Sequence, residues 1–460
     1  MQTAEMNHTL ADRRHVVVVG LGRTGLSCAR FLARRGARVA VTDSRVRPPE
    51  LENLGALGET LGTHIEARVG GFDERLLDDA RQVVVSPGVS LDEPFLRRAA
   101  ARGLEIVGDI ELFARAVKGP VVGVTGTNGK STVTTLIARM AEADGRQVRT
   151  GGNLGEPALD LLDAPGAGAS ELYVLELSSY QLETTRSLSL SAATILNITP
   201  DHLDRYASVA DYAAAKAHIL ERCDVAVLNA DDQFVMRLAR PGQRTLTFSL
   251  DPKRGADYDI VRGASAEVVL TRRGTRLLAA DELKIAGLHN VANALAALAV
   301  GEAIGLADRS MFGALSSFSG LEHRTQWVAD VERVRYVDDS KGTNVGATLA
   351  AVAGSPGPLI VIAGGDGKNQ DFAPLAAAFR GKVRHAVLIG RDGLVVGAAL
   401  AGVCEISFVR SMEDAVRRAH AVARPGDTVL LSPACASFDM FRDYHQRGAV
   451  FAAAVKGLTQ

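Results

Sequence analysis

Cysteine is scarce in this chain of 460 residues. Cys28, Cys223, Cys404 and Cys435 are scattered, with no Cys-x-x-Cys pair. That spacing indicates neither a disulfide framework nor a zinc site. Neither sign of charge is in excess: 52 Lys plus Arg stand against 53 Asp plus Glu, a formal net charge of -1. A chain this balanced has no global field to hold nucleic acid by phosphate neutralisation. Internal repeats and low-complexity tracts are absent. The start, Met1 to Arg14, is polar without an apolar core, so no secretory signal is read there. Long hydrophobic runs are missing too. The longest uncharged stretch, Val345 to Gly365, is broken by Gly346, Gly354, Pro356, Gly357 and Pro358. It reads as a helix, a turn and a strand, not as a membrane span. The expected compartment is the cytoplasm.

Apolar residues at 47% and charged residues at 23% are the balance of an ordinary globular protein rather than a disordered one. At roughly 150 residues per domain the length predicts about three domains. The 46 glycines cluster after short Val/Ile-rich runs, as in α/β proteins that end strands in phosphate-binding loops.

Strand-like and helix-like segments alternate nearly throughout, which predicts parallel sheets with crossover helices. A first block opens with the strand His15 to Val19, then a helix to about Arg35 with Leu26, Ala29 and Leu32 inward and Arg23, Arg30 and Arg34 outward. Strands Arg38 to Thr42 and Gln82 to Val85 follow, and the block ends near Gly108. A second block has strands Pro120 to Thr125, Glu171 to Leu175, Ala192 to Ile198 and Val225 to Leu228, a hairpin Val268 to Ala279 and a helix Asn290 to Ile304. A third, from about Leu321, has strands Arg335 to Val337, Leu359 to Ala363, Ala386 to Ile389 and Thr428 to Leu431.

Gly20-x-Gly22-x-x-Gly25, with Asp43 ending the next strand, matches a dinucleotide fingerprint. It leaves three readings open: NAD or FAD, another nucleotide diphosphate, or a tight turn with no ligand. Gly126-Thr127-Asn128-Gly129-Lys130-Ser131-Thr132 resembles a P-loop, with Lys130 for the β/γ oxygens and Ser131 for Mg²⁺. It departs from the strict pattern because Val124 stands where the first Gly belongs. Glu176, ending a strand beside it, is placed for a second Mg²⁺ ligand or is a solvated strand end. His202, in Asp201-His202-Leu203-Asp204, is a metal ligand, an acid/base group or a solvated loop residue. Lys216 lies on a helix, Val209 to Glu221, that Ser208 can cap, and its default is a solvated face. Asn290 and Asn293 share one helix face, with capping by Asn290 as the bland alternative. Arg324, Asp339-Ser340-Lys341, Gly364-Gly365-Asp366-Gly367-Lys368 and Ser432-Pro433-Ala434-Cys435-Ala436-Ser437 gather at strand ends, a third ligand-facing surface.

Together these motifs resemble the Mur ligases of peptidoglycan synthesis over essentially the whole chain. The resemblance rests on Thr125 to Thr132, Gly152-Asn153-Leu154-Gly155, Leu175 to Leu182, Asp201 to Tyr206, Gly287 to Asn290, His323-Arg324, Asp339-Ser340-Lys341, Gly364 to Lys368 and Leu431 to Asp439. The last two point to the branch that adds D-glutamate. The resemblance implies three α/β domains. Residues 1–108 form a Rossmann-like unit for a UDP-sugar, 109–320 a central P-loop-type ATPase unit, and 321–460 a Rossmann-like unit for adenosine and D-glutamate.

It further implies that Gly22, Thr24, Asp43, Arg45 and Gly88 face the UDP-sugar, with Asn153 on phosphate or substrate. Gly126 through Thr132, Asn290, Arg324 and Asp339 would hold ATP. Ser131, Glu176, His202 and a carbamylated Lys216 would hold Mg²⁺. Lys341, Thr343, Lys368, Ser437 and Phe438 would hold substrate, the last three D-glutamate. Lys130, His202 and Lys216 are the implied catalytic set.

The implied reaction joins D-glutamate to UDP-N-acetylmuramoyl-L-alanine with ATP, through an acyl phosphate, in a cytoplasmic monomer that closes about a hinge near Ser319 to Glu322. The alternatives are a ligase of the same superfamily with another substrate, an NAD-dependent oxidoreductase, and a regulatory nucleotide-binding protein without turnover.

Overall fold

Val-rich runs too short for helices end in glycine loops, and each becomes a strand buried on both faces. The computed structural model describes residues 15–163, 168, 171–263, 267–285, 287–355 and 357–459; the polar start Met1 to Arg14 and the breaker Pro356 lie outside the described residues.

The strands β1 (His15–Val19), β2 (Arg38–Asp43), β3 (Glu66–Val69), β4 (Ala80–Val85) and β5 (Glu105–Val107) form a parallel sheet in the order β3-β2-β1-β4-β5. The strand order reverses at β1, with β2 and β3 added on one side and β4 and β5 on the other, so the Gly20–Gly25 loop leaves the sheet at a switch point.

The second sheet has nine strands: β6 (Val121–Thr125), β7 (Val148–Gly152), β8 (Leu172–Glu176), β9 (Ala192–Ile195), β10 (Val225–Asn229), β11 (Arg244–Phe248), β12 (Tyr258–Arg262), β13 (Val268–Arg272) and β14 (Thr275–Ala279). Their order is β14-β13-β12-β11-β10-β9-β6-β8-β7. The expected hairpin is β13–β14, and the antiparallel edge continues into β12. β6 lies between β8 and β9, again a switch point, with the glycine-rich loop at its carboxyl end.

The third sheet contains β15 (Gln326–Val331), β16 (Val334–Asp338), β17 (Leu359–Gly364), β18 (Val383–Ile389), β19 (Glu405–Phe408) and β20 (Thr428–Leu431), ordered β15-β16-β20-β17-β18-β19. Only β15 is antiparallel. Successive residues of β17 alternate between two cores: Val361 and Ala363 pack with Phe372 and Phe379, Ile360 and Ile362 with Met412 and Phe451.

The first two sheets share one apolar cluster, which runs from Val16, Phe31 and Phe113 into Tyr173, Leu175 and Tyr212. Polar groups seal the same seam. The helix Arg23–Arg34 turns Ser27 Oγ and Arg30 Nη1 onto Asp160 Oδ1 at 2.8 and 3.2 Å, and Arg34 Nη1 onto Asp163 Oδ2 at 2.9 Å. Arg30 and Arg34 point outward from their own sheet, but toward a partner helix as well as water.

Several boundaries differ from expectation, and two of them bear on the site. β9 stops at Ile195 rather than Ile198, because Asn197 turns away to bond the glycine-rich loop. The helix Leu288–Ala303 starts two residues early, with Gly287 rather than Asn290 at its N-cap.

Candidate active site

The first cavity opens at the carboxyl ends of β1, β2 and β4. It encloses about 560 Å³ and is lined by Gly22, Thr24, Asp43, Arg45 and Gly88, with Asn153 and Gln181 from the second unit. A Cβ at Gly25 would collide with the Gly20 carbonyl, so the loop requires glycine there. Asp43 is buried, and its four acceptor positions are already filled. Oδ2 accepts from Leu21 N at 2.7 Å and Arg45 Nη2 at 2.7 Å; Oδ1 accepts from Arg45 N at 2.8 Å and Arg45 Nε at 2.9 Å. Burial alone would raise its pKa, but the donors from Arg45 and Leu21 outweigh that and hold it below the usual range. Asp43 therefore organises the loop and aims Arg45.

The second cavity, about 330 Å³, lies between the second and third units. Its floor is the glycine-rich loop. Thr127 N and Asn128 N are both fixed by Asn197, through its backbone oxygen at 2.9 Å and its Oδ1 at 2.8 Å. Gly129 has φ +84°, and a Cβ there would strike Asn293 Oδ1. Lys130 Nζ folds back onto the carbonyls of Gly126 and Thr127, 2.9 Å from each. Burial lowers its pKa, and Glu176 and Asp201 oppose the shift. Ser131 Oγ donates to Glu176 Oε2 at 2.5 Å, and Asn153 Nδ2 donates to Oε1 at 2.6 Å. Burial would raise Glu176, but Lys130 and Ser131 hold it below the usual carboxylate range.

The default expectation for Lys216, a solvated helix face, fails. Its side chain is 1% exposed, with Nζ 3.3 Å from Thr125 Oγ1 and 4.6 Å from the centre of the Tyr212 ring. Burial, reinforced by Lys130, pushes its pKa well below the lysine range. Ser208 does cap the helix, which ends at Ala217. His202 faces the same cavity. Its Nδ1 lies 2.7 Å from the Tyr180 hydroxyl, and burial lowers its pKa to about 4. Among the described residues no three His, Cys, Asp or Glu side chains gather as a metal cage. The hard oxygens present here are Ser131 Oγ and the Glu176 carboxylate, the donor type that Mg²⁺ takes.

The third unit closes over this floor. Arg324 Nη2 donates to Ser131 Oγ at 2.5 Å. Lys368 Nζ reaches Asp201 Oδ1, and Asn344 Nδ2 donates to Asp201 Oδ2 at 3.1 Å and to Asn128 Oδ1 at 3.1 Å. His202 and Lys368 both hold left-handed backbone, φ 55° and 50°. Such strain persists where the surroundings over-determine it. Lys341, Thr343 and Ser437 line the cavity, while Phe438 stands at its rim, 73% exposed.

A third cavity lies on the other side of the glycine-rich loop. Thr132, Asn290, Arg324 and Asp339 line it, with Phe248 and Leu321 as apolar wall. Asp339 accepts from Thr325 N at 3.1 Å and Ser432 Oγ at 2.8 Å, and burial pushes it up to about 7. Asn290 Oδ1 accepts from Asn293 Nδ2 at 3.2 Å.

Several cavity residues escaped the sequence reading. Tyr444 lies under Lys341, with Nζ 4.1 Å from its ring centre. Burial, with Arg324 adding to it, lowers Lys341 to about 7. Arg447, 1% exposed, donates to the Ser340 carbonyl at 2.7 Å and the Cys435 carbonyl at 3.1 Å, so it ties together the loops that bear Lys341 and Ser437. Tyr180, Tyr212 and Asn344 carried no assigned role in the sequence.

Comparison with known proteins follows the same three units. Family models for the MurD-like N-terminal domain, the Mur ligase middle domain and the Mur ligase glutamate ligase domain match residues 14–108, 124–301 and 323–435. Curated proteins named UDP-N-acetylmuramoylalanine--D-glutamate ligase are similar along nearly the whole chain. That of Nitrosococcus oceani is 52% identical over 96% of both chains. That of Methylococcus capsulatus is 48% identical over 97% of this chain and 95% of its own, and that of Pseudomonas aeruginosa 47% over 98% and 99%.

Among solved structures, the UDP-N-acetylmuramate-alanine ligase MurC of Thermotoga maritima has a TM-score of 0.61 at 20% identity, covering 96% of this chain and 99% of that one. MurF of Acinetobacter baumannii also has a TM-score of 0.61, at 15% identity, covering 98% of each. At these identities the structures speak for the fold alone. Fold, family models and near-full-length relatives agree: the chain belongs to the Mur ligase family.

Proposed function

We propose that the chain joins D-glutamate to the alanyl carboxylate of UDP-N-acetylmuramoyl-L-alanine, converting ATP to ADP and phosphate. The observation that carries this reading is the second cavity. One enclosed space is lined by a phosphate-loop lysine, Lys130, and by a lysine of the facing unit, Lys368. A ligase needs that arrangement, with the phosphoryl donor on one wall and the incoming amino acid on the other. The relatives' names supply the substrates.

Residues 1–108 take the UDP-sugar, with Gly22, Thr24, Arg45 and Gly88 on the nucleotide, Asp43 behind Arg45, and Asn153 toward the reacting end. Residues 109–320 take the ATP phosphates on the amides of Gly126 through Thr132. Residues 321–460 complete the adenosine site with Arg324 and Asp339, opposite Asn290, and offer Lys341, Thr343, Lys368, Ser437 and Phe438 to substrate. Tyr444 joins that set by position. One chain lines all three cavities, so a monomer suffices. The cytoplasm supplies both the nucleotide-sugar and ATP.

A carboxylate is a poor electrophile, and phosphorylation gives it a leaving group. One alanyl oxygen attacks the γ-phosphorus, the bond to the β-phosphate oxygen breaks, and ADP departs. The amine of D-glutamate then attacks the acyl carbonyl and loses a proton, and phosphate leaves. Lys130 neutralises charge on the transferring phosphoryl. Mg²⁺, when bound, supplies further charge neutralisation there.

Ser131 and Glu176 offer hard oxygens for Mg²⁺, with His202 beside them. Lys216 fits only as a carbamate, since an ammonium repels the ion. CO₂ adds to a neutral amine, a new N–C bond forms and a proton leaves. The burial of Nζ beside Lys130 favours that neutral amine. Neutral His202 is hydrogen-bonded to Tyr180, so as a metal ligand it could not also take the amine proton.

The deciding experiment is ADP release with UDP-N-acetylmuramoyl-L-alanine, with and without D-glutamate. Release that needs D-glutamate, and that L-alanine or L-glutamate does not support, is expected. Equal release with either replacement would assign the chain another substrate.

A further inference from the structure

Arg205 leaves the loop that carries His202 and reaches into the first unit. Its Nη1 donates to the carbonyl of Pro87 at 3.0 Å and lies 3.4 Å from that of Val89. Its Nη2 donates to Glu183 Oε2 at 2.6 Å, and its guanidinium lies 4.1 Å above the centre of the Tyr180 ring. The Tyr180 hydroxyl in turn holds His202 Nδ1. The other Glu183 oxygen accepts from the Tyr206 hydroxyl at 2.5 Å. The Arg205 side chain is 13% exposed.

Pro87, Gly88 and Val89 form part of the first cavity's wall, and Ser86 Oγ bonds the Gly20 carbonyl at 2.9 Å. One side chain therefore touches the wall of the first cavity and the ring that supports a residue of the second. Only arginine can do this: its planar fork donates in divergent directions while its face stacks.

We infer that Arg205 is a positioning residue that fixes the loop 86–89 of the nucleotide-sugar cavity relative to the Tyr180–His202 pair. The inference rests on the reading that the first cavity takes the UDP end of the substrate. That substrate is long, with its nucleotide in one cavity and its reacting carboxylate in the other. The offset between the cavities decides where the carboxylate arrives, and a 1 Å error can cost about 100-fold in rate. Arg205 holds that offset from the middle.

The test uses the full chain with Arg205→Lys and Arg205→Met. UDP alone, titrated calorimetrically, probes the first cavity without catalysis. Steady-state kinetics give KM for each substrate, and thermal melts report folding. Both variants should bind UDP about tenfold more weakly, or ~1.4 kcal/mol, with lower kcat and a KM for ATP within about twofold of wild type. Lysine should not rescue, although it keeps the charge.

UDP affinity and kcat both within about twofold of wild type would overturn the inference. So would losses shared equally by UDP, ATP and D-glutamate, which mark a general structural role. If the Arg205 variants do not fold, Glu183→Gln weakens the same anchor at constant shape. It should shift UDP affinity in the same direction by a smaller factor, and no shift would overturn the inference. Failure of the wild-type chain to bind UDP would instead sink the nucleotide assignment on which the inference rests.

Discussion

Lys368 Nζ stands 2.5 Å from Asp201 Oδ1, an ion pair that crosses from the third unit to the second. Both side chains are largely buried, and the other Asp201 oxygen is held by Asn344. The cation proposed for D-glutamate is thus already matched by an internal carboxylate. A substrate carboxylate must share Lys368 with Asp201 or replace it.

Lys368→Ala should raise the KM for D-glutamate. A hydrogen bond to a charged group is worth about 1.5–3 kcal/mol, or roughly tenfold to 150-fold. The changes for ATP and the UDP-sugar should be smaller. Asp201→Asn keeps the shape and removes the competing charge, so it should not raise the KM for D-glutamate. A KM within about twofold of wild type for Lys368→Ala would remove this loop from the amino-acid site.

Lys130→Ala should reduce turnover by at least about 100-fold, the scale of losing one donor aimed at developing charge. Folding should survive, because the partners it leaves are loop carbonyls beside a cavity. Activity within about threefold, only ~0.65 kcal/mol of barrier, would refute the ATP assignment.

For Lys216, intact mass in bicarbonate-replete buffer should show the added carbamate. Lys216→Ala should be inactive, and acetate or formate should partly restore it by placing a carboxylate in the vacated space. An active enzyme whose Lys216 is unmodified would refute the carbamate.

Asp109 gives a pH signature of stability. It is fully buried at the seam between the first two units, where Oδ2 accepts from Gln181 Nε2 at 2.9 Å and Oδ1 has no partner among the described residues. Burial pushes its pKa up to about 6, against the pull of Gln181. The folded chain therefore holds a proton that the unfolded chain has released once pH passes about 4. This contribution is complete below pH ~4 and is lost as pH rises through about 6. Between pH 4 and 7 wild type should lose up to about 3 kcal/mol through this group, at ~1.36 kcal/mol per pK unit. Asp109→Asn should lack that slope. Urea titrations of both proteins at pH 4.5 and 7.5 measure it; parallel pH profiles would mean that Asp109 is ionised at both.

What the sequence made legible was local. The glycine loops after β1 and β6, with Lys130 and Ser131, follow from residues within seven positions of one another. Contacts across long separations were not legible. Tyr444 lies 103 positions from Lys341 and meets it only because helix Tyr444–Lys456 packs beside β16. Lys216 stands in an alanine-rich helix whose periodicity favours no face, so nothing local marks it as buried. Phe438 entered through the resemblance alone; it stands at the rim of the second cavity, largely exposed.

The apolar cluster shared by the first two sheets bears on how the molecule comes apart. Each of these two sheets keeps a cluster of its own on its other face, but parting them would expose the residues from Val16 to Val235 that they bury between them. The third unit keeps its own two clusters, from Val331 to Val455. Its links to the rest at the second cavity are polar, chiefly Arg324–Ser131, Asn344–Asn128 and Lys368–Asp201. The joint between the second and third units is therefore the more polar of the two, and it is the one that amino acid and ATP would both enter on the proposed function.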